Sequence, residues 1–485
     1  MKKSLPLQLT VFIILLPAML FLTPGGCRDK KKERKEELEQ VLKFGPKPHN
    51  GATGVSICPV LSWKYLFRNM GIRGFTVFLG TEEPLPCVGE LYDYHRDWSD
   101  NQDIRTFYPG TLEYSTTYYW RLYAYDSNLF TELRYTGPTW IFKTESPPPS
   151  EGSWTPMSLE NAPCPRTGHS CVWTGSEVIV WGGRGNGTLL NDRGIYYPEN
   201  DSWTTVSGID APCARENHGA VWTGSKMIVF AGGFGNGAVY DPQTDSWSGM
   251  SADTAPVTVQ MNSYVWTGEG ILTSGGYYYD FAGDFWTSFP ALCDYSGHSL
   301  VWTREKAITW GGLKTTQIYI GYNGDKEESL NEGIVYDPVT EERGETTLFG
   351  APEPRYDHSA IWNGNAMLVW GGRYMFDSSG DFNPFTVFHG YNDGAMYYPD
   401  TGIWIPITKA HAPAQRSGHF ACWTGDAMII LSGNTGGIYY ADEDRWTATS
   451  TENAPTGINS RNAVWTGEKV IVFGGTPETS SIFTP

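Results

Sequence analysis

Basic residues are scarce in this chain. Its 485 residues carry 35 Lys and Arg against 53 Asp and Glu, a formal net charge of −18. Phosphate backbones are held by a surplus of Lys and Arg, so the balance argues against a nucleic-acid partner. The acidic exterior itself speaks only of solubility. Long hydrophobic runs are nearly absent: the one apolar stretch, Leu5 to Leu22, is broken by Pro6 and Pro17 and is marginal for spanning a bilayer. No Cys-x-x-Cys, nucleophile elbow, phosphate loop or zinc motif occurs, so no catalytic residue, metal site or cofactor is expected. Gly and Pro, 56 and 31, are too few and too aperiodic for a collagen-like or low-complexity chain.

Aromatic residues, by contrast, are abundant. With 20 Trp, 28 Tyr and 22 Phe there is material for buried cores along most of the length, which excludes general disorder. At about 150 residues per domain the length suggests two to four domains.

The N-terminus reads as a targeting segment. Lys2 and Lys3 precede the apolar run, and Thr23-Pro24-Gly25-Gly26-Cys27 follows it, the order of a secretory signal over residues 1–26. Small residues just before a cysteine resemble the lipobox of bacterial lipoproteins, with Pro24 where that family usually has Leu. The resemblance implies lipidation of Cys27, anchorage in a membrane through that lipid and, with Arg28 next, an outer-membrane lipoprotein of the bacterial cell envelope. Residues 27–47 alternate charge in blocks and form a tether. Seven further cysteines remain, an odd number, so at least one thiol stays free.

Residues 48–145 contain short strand-like stretches with turn signals at regular spacing: 54–63, 75–80, 108–126 and 137–145. This pattern predicts a small β-sandwich, and it resembles the fibronectin type III modules of bacterial surface proteins. Antiparallel neighbours would bring Cys58 and Cys87 to one end of the sandwich, a candidate disulfide. Residues 146–152, with Ser-Pro-Pro-Pro-Ser, read as a stiff linker.

From residue 153 onward a repeat takes over. Trp recurs at 173, 222, 266, 302, 362, 423 and 465, usually in Val-Trp-Thr-Gly. A glycine pair follows nine or ten residues later, degenerate in one copy, with an apolar run between; then come a Tyr-rich strand and a second Trp. The Thr-Gly suits a tight hairpin, since Gly accepts positive φ. Trp and Tyr suit the gaps between neighbouring sheets. The order identifies kelch repeats and predicts an all-β chain: a seven-bladed kelch-type β-propeller over 153–485 preceded by the fibronectin type III-like sandwich. The last copy lacks its Trp-bearing fourth strand, and Ser153-Trp154-Thr155 supplies one, so the blades close as three C-terminal strands plus one N-terminal strand.

Five copies place a His four residues before the marker Trp, at 169, 218, 298, 358 and 419, and four place an Arg three residues before that His: Arg166, Arg215, Arg355 and Arg416. A catalytic constellation needs different residues converging on one point, whereas one residue type recurring in each blade suits blade-to-blade hydrogen bonds. The longer Arg side chains are also candidates for a ligand-binding rim. Cys164 and Cys213 occupy equivalent places in adjacent copies and are a second candidate disulfide; Cys171 and Cys422 read as buried, inert thiols.

Function is sought where the repeat breaks. Two insertions, Leu313 to Glu332 and Arg373 to Asp393, follow the glycine pairs of the fourth and fifth copies and share one rim with the Arg positions. The second offers Tyr374, Phe376, Asp377, Asp381, Phe385, His389 and Tyr391, aromatics beside short polar groups that suit a protein or glycan ligand; calcium is not expected there, because the D-x-D-x-D-G order is missing. Kelch families include enzymes, copper radical oxidases and a sialic-acid mutarotase among them, yet no Tyr-Cys copper pair carries over. The leading expectation is therefore a secreted, lipid-anchored binding or scaffold protein. The alternatives are an envelope enzyme holding an anionic sugar at the channel mouth with Arg215, Arg355 and Arg416, or a purely structural component.

Overall fold

The computed structural model describes residues 46–485 except 58, 65–71, 93–103, 111, 127–132, 147–149, 207–209, 261–262, 319–323, 376–387, 460–461 and 476–478. The signal segment, Cys27, most of the tether and Cys58 thus lie outside the described residues. Among those described the regular structure is β-strand, with no α-helix. The chain divides into two compact units, one drawn from Met1–Val55 and Pro59–Glu145, the other from Ser146–Pro485 with Ser56–Cys58.

In the first unit a six-stranded sheet is built on Ile72–Gly80 and Thr117–Asp126, paired antiparallel, and the strands Leu61–Lys64 and Ile104–Phe107 form a second, two-stranded sheet. Alternation in these strands points one set of side chains inward. Leu61 and Trp63 from the small sheet meet Phe75, Val77, Trp120, Leu122, Trp140 and Phe142 from the large one in a single core. Cys87 is an exposed free thiol.

The second unit holds, among the described residues, six four-stranded antiparallel sheets and one more in which four antiparallel strands gain a short fifth strand, numbered here along the chain from the one that begins at Ser170–Trp173. Their first strands begin at Ser170, Gly219, Tyr264, Ser299, Ser359, Phe420 and Ala463, and each contacts the next, with Ser170–Trp173 meeting Ala463–Trp465 to complete a ring. Second strands such as Val178–Trp181, Met227–Phe230 and Met367–Trp370 are buried at every residue, as strands covered on both faces must be.

Two local devices recur from sheet to sheet. Thr opens the first hairpin: its hydroxyl accepts from the backbone N–H three residues on, as for Thr174 and Glu177 (2.9 Å) or Thr223 and Lys226 (3.0 Å), while the next residue, Gly175 or Gly224, takes a φ near +100°. At the turn between third and fourth strands an Asp in the left-handed region accepts from the Tyr hydroxyl five residues earlier: Asp201 from Tyr196, Asp284 from Tyr279 and Asp444 from Tyr439, each at 2.8 Å. The same carboxylates accept backbone N–H groups from the segments that precede them in space, Ser158, Ser251 and Thr408. Burial and the carboxylate acceptor push the phenol pKa of Tyr196 and Tyr439 far up, so both remain donors.

Sheet 7 takes its fourth strand from the start of the unit. Ser153–Pro156 pairs with Ser481–Thr484, Trp154 opposite Phe483. Trp154 is buried with Phe483, Val470 and Ile438, and its indole N–H donates to Ser450 O at 2.9 Å. Ser150 and Glu151, read from sequence as linker, instead pair in parallel with Ala448 and Thr449 of sheet 6, and Tyr440 donates its hydroxyl to Glu151. The segment 150–156 therefore fastens two sheets at once. Trp154→Ala should cost about 3–5 kcal/mol, the usual range for emptying a buried Trp site, and a chain begun at residue 160 should aggregate through the uncovered strand Ser481–Thr484. Chemical denaturation and light scattering check both; a melting curve unchanged by the truncation would contradict this closure.

Candidate functional site

The loop entering each first strand and the loop leaving the second meet on one rim. Backbone bridges join Thr167 to Arg184, Ser296 to Leu313 and Tyr356 to Arg373. Both insertions leave the sheets there as hairpins. The first pairs Gly312–Ile318 with Gly324–Leu330; the second pairs Arg373–Met375 with Phe388–Gly390, placing Tyr374 opposite His389. The strand Gly324–Leu330 contacts Arg373–Met375, so the two hairpins are neighbours. Phe376, Asp377, Asp381 and Phe385 lie outside the described residues.

The recurrent histidines are buried between sheets. His218 Nε2 bonds Ser170 Oγ at 3.0 Å, His298 bonds Ser274 (2.7 Å), His358 bonds Ser299 (2.9 Å) and His419 bonds Ser359 (2.8 Å), each bond crossing from one sheet to the preceding one. The ring also lies edge-on to the aromatic that ends the preceding sheet's second strand, as His218 does to Trp181, His358 to Trp310 and His419 to Trp370. Burial lowers the pKa of His298 and His358, and burial with Arg416 nearby holds His419 at about 3. The imidazoles of His298, His358 and His419 are therefore neutral structural groups.

The arginines turn inward, which corrects the expectation that Arg166, Arg215 and Arg355 face a ligand at the rim. All three are fully buried. Each donates Nη1 to the carbonyl sixteen residues on, Gly182 O (3.1 Å), Ala231 O (2.8 Å) and Gly371 O (2.9 Å), and Nε to the carbonyl two residues back. An acidic or amide side chain just before the third strand completes the set: Asp192 for Arg166, Asn236 for Arg215 and Asp393 for Arg355. Burying a guanidinium is costly unless its donors are met, and here they are met within the sheet itself. Arg416, half-buried, bonds Ala414 O and Thr435 in the same manner. An anionic substrate cannot use Arg215 or Arg355 without dismantling these contacts. The sequence reading missed Asp192, Asn236 and Asp393; the signal was an acid or amide directly before the glycine or first residue of the third strand.

Tyr391 belongs to this packing too. Its ring lies 4.0 Å from the Arg355 guanidinium and 5.6 Å from the Tyr374 ring, and its hydroxyl donates to Pro354 O. Tyr374 is half-buried against it, and Arg373 pairs with Asp357 at 2.7 Å. The base of the second insertion is thus part of the sheet's core.

The Cys164–Cys213 pair is not bridged, and Cys58 of the other candidate pair lies outside the described residues. Cys164 and Cys213 are free thiols, as is Cys87. The Cys164 sulfur turns toward its own sheet's Arg166, 3.5 Å from Nη2, rather than toward the neighbouring copy. Burial raises the Cys171 thiol to about 12 and Cys293 to about 11, and raises Cys422 as well, so these remain protonated and unreactive. No cluster of three or more His, Cys, Asp or Glu suited to a metal occurs among the described residues.

A family model of the KLHDC2/KLHL20/DRC7 Kelch-repeats domain matches residues 130–288, which take in sheets 1 to 3. With the all-strand architecture this makes the fold all-β and kelch-like. Kelch repeats generally mediate protein binding. A search of curated proteins returns no match.

The buried histidines make acid sensitivity a testable property. The folded pKa of His298, His358 and His419 lies below the ordinary value near 6.5, so the unfolded chain binds more protons between pH 6.5 and the folded pKa, about 3 for His419. Stability from each is complete above about pH 6.5 and falls as the pH drops, by up to about 1.4 kcal/mol per pH unit per histidine. Denaturation midpoints measured from pH 7 to 4.5 should fall, and His419→Gln, destabilised at pH 7, should show a shallower slope.

Proposed function

We propose that this chain is a secreted, lipid-anchored binding protein of a bacterial cell envelope. Its seven-bladed kelch-type propeller, carried behind a fibronectin type III-like sandwich, takes a protein partner on the insertion rim. One observation carries the reading. The hairpins of sheets 4 and 5 are the largest departures from the repeat, they emerge on the same rim, and they touch each other. Equivalent sheets give a nearly symmetric surface, whereas a specific partner needs an asymmetric one. The sequence of the first hairpin carries charges of both signs, Lys314, Asp325, Lys326, Glu327 and Glu328, and the second insertion carries the aromatic residues suited to anchoring contacts.

A protein partner is favoured over a glycan because the kelch match points that way. The anionic-sugar enzyme is not favoured, since the guanidinium groups it requires are spent within the sheets. Anchorage rests on Lys2, Lys3, the apolar run and Cys27.

The hairpin bases must be spared in any test, because Asp393 and Tyr391 hold Arg355. Replacing residues 315–327, and separately 376–387, by short Gly-Ser turns should leave the melting temperature within a few degrees, as surface loops cost little to shorten. Binding of the partner isolated by crosslinking to the intact chain should weaken tenfold or more, about 1.4 kcal/mol. Undiminished binding in both variants would move the site off this rim. Cys27→Ser should shift the chain from the membrane to the soluble fraction, and an intact, unlipidated N-terminus by mass spectrometry would remove the anchor from the proposal.

A further inference from the structure

Sheet 4 keeps the receptor for a buried arginine but has lost the arginine. The residue seven before its marker Trp, where sheets 1, 2, 5 and 6 have Arg, is Tyr295. The acceptors that would hold a guanidinium are still in place. Sixteen residues on from Tyr295 stands Gly311, matching Gly182, Ala231 and Gly371; Cys293 stands two residues back; Glu332 lies just before the third strand, where Asp192, Asn236 and Asp393 lie, and its carbonyl accepts from Gly311 N as Asp393 O does from Gly371 N. These residues wall a cavity of about 420 Å³, within the ~300–1,000 Å³ typical of small-ligand sites.

The cavity is also more polar than its counterpart. At its wall Thr309 and Thr346 occupy the places that Val369 and Ile407 fill in sheet 5. Thr346 is only 5% exposed, and its hydroxyl has no hydrogen-bond partner among the described residues. No described side chain pairs with the carboxylate of Glu332, whereas Asp192 and Asp393 each hold a guanidinium. The buried orphan hydroxyl leaves an unmade bond for an incoming donor, and the exposed Glu332 carboxylate on the same cavity wall is open to a cationic one.

From this juxtaposition we propose that the cavity of sheet 4 binds the guanidinium of an arginine side chain supplied by a partner, in the manner in which sheets 1, 2 and 5 bind their own. Gly311 O and Cys293 O accept its N–H groups, Glu332 pairs with its charge in the planar geometry that distinguishes Arg from Lys, and Thr346 accepts at the apolar end. Glu332 closes the first insertion, so the slot opens at the foot of that hairpin. The proposal rests on the insertion rim as the binding surface and names the partner group recognised there.

The test uses the full chain and three probes: N-acetylarginine amide, its neutral isostere N-acetylcitrulline amide, and the Nα-acetyllysine amide. Protein-observed NMR or calorimetry should give saturable binding for the arginine probe and at least tenfold weaker binding for the other two. Glu332→Gln, at an exposed position, should fold normally and bind the arginine probe at least tenfold more weakly. Tyr295→Arg should fill the slot from within, abolish probe binding and raise the melting temperature. Equal binding of the arginine and citrulline probes, equal binding of lysine, no saturation, or undiminished binding by Glu332→Gln would each overturn the assignment. Such failure would leave the rim untouched as a partner surface, because the hairpin replacements test that independently.

Discussion

The second unit depends on how closely one sheet approaches the next, and that distance is set by a glycine. The second glycine of the pair donates its N–H to the carbonyl of the following sheet's arginine: Gly183 to Arg215, Gly312 to Arg355, Gly372 to Arg416 and Gly475 to Arg166, all at 2.8–2.9 Å. The first glycine lies under that same carbonyl and the following histidine. A Cβ on Gly311 would come within 2.8 Å of both Arg355 O and His358, and the φ of +67° is strained for any side chain. At the last joint Gly474 meets His169, so the contact that spaces the sheets also closes the ring. Sheet 2 shows how firmly the geometry is imposed: Ala231 stands in the first place and still takes a φ of +57°.

That constraint explains why repeated polar residues are poor guides to chemistry here. His and Arg recur because most joints present the same carbonyls and the same gap, and a buried guanidinium held by the carbonyls and the acidic or amide side chain of its own sheet is an architectural element. The interesting positions are those where the filler changes. Val259 and Ile458 take the arginine's place in sheets 3 and 7, and Ile458 is buried in an apolar cluster, an internally consistent substitution. Tyr295 in sheet 4 is different, because the polar receptor persists without its occupant.

Much of the fold was legible because its signals are local. The Thr-Gly hairpin, the glycine pair and the spaced Trp each act within a few residues, and the missing last strand was countable. The partners of Arg166, Arg215 and Arg355 were not legible in the same way. They lie 26, 21 and 38 residues downstream, a separation that the insertions vary, so only the third strand, once seen, aligns them. The pairing of Ser150 and Glu151 is two residues long, too short for any alternation to register. The unbridged Cys164 and Cys213 make a related point: equivalence in a repeat fixes where a residue sits in its own sheet, and says nothing of where its side chain is engaged.

The strand that fastens sheet 7 also orders events during biosynthesis. Trp154 and its acceptor Ser450 are 296 positions apart, and the strand partner Ser481–Thr484 comes later still. At ~5–20 residues per second the first strand waits on the order of half a minute before its mate leaves the ribosome. Through that interval the sheets already made form an open arc with an apolar face at each end, and no ring exists to be stabilised. Closure of the ring therefore waits on synthesis of Ser481–Thr484, so a polypeptide that stops short of Ser481 retains the exposed surface by which chaperones and proteases recognise unfinished products.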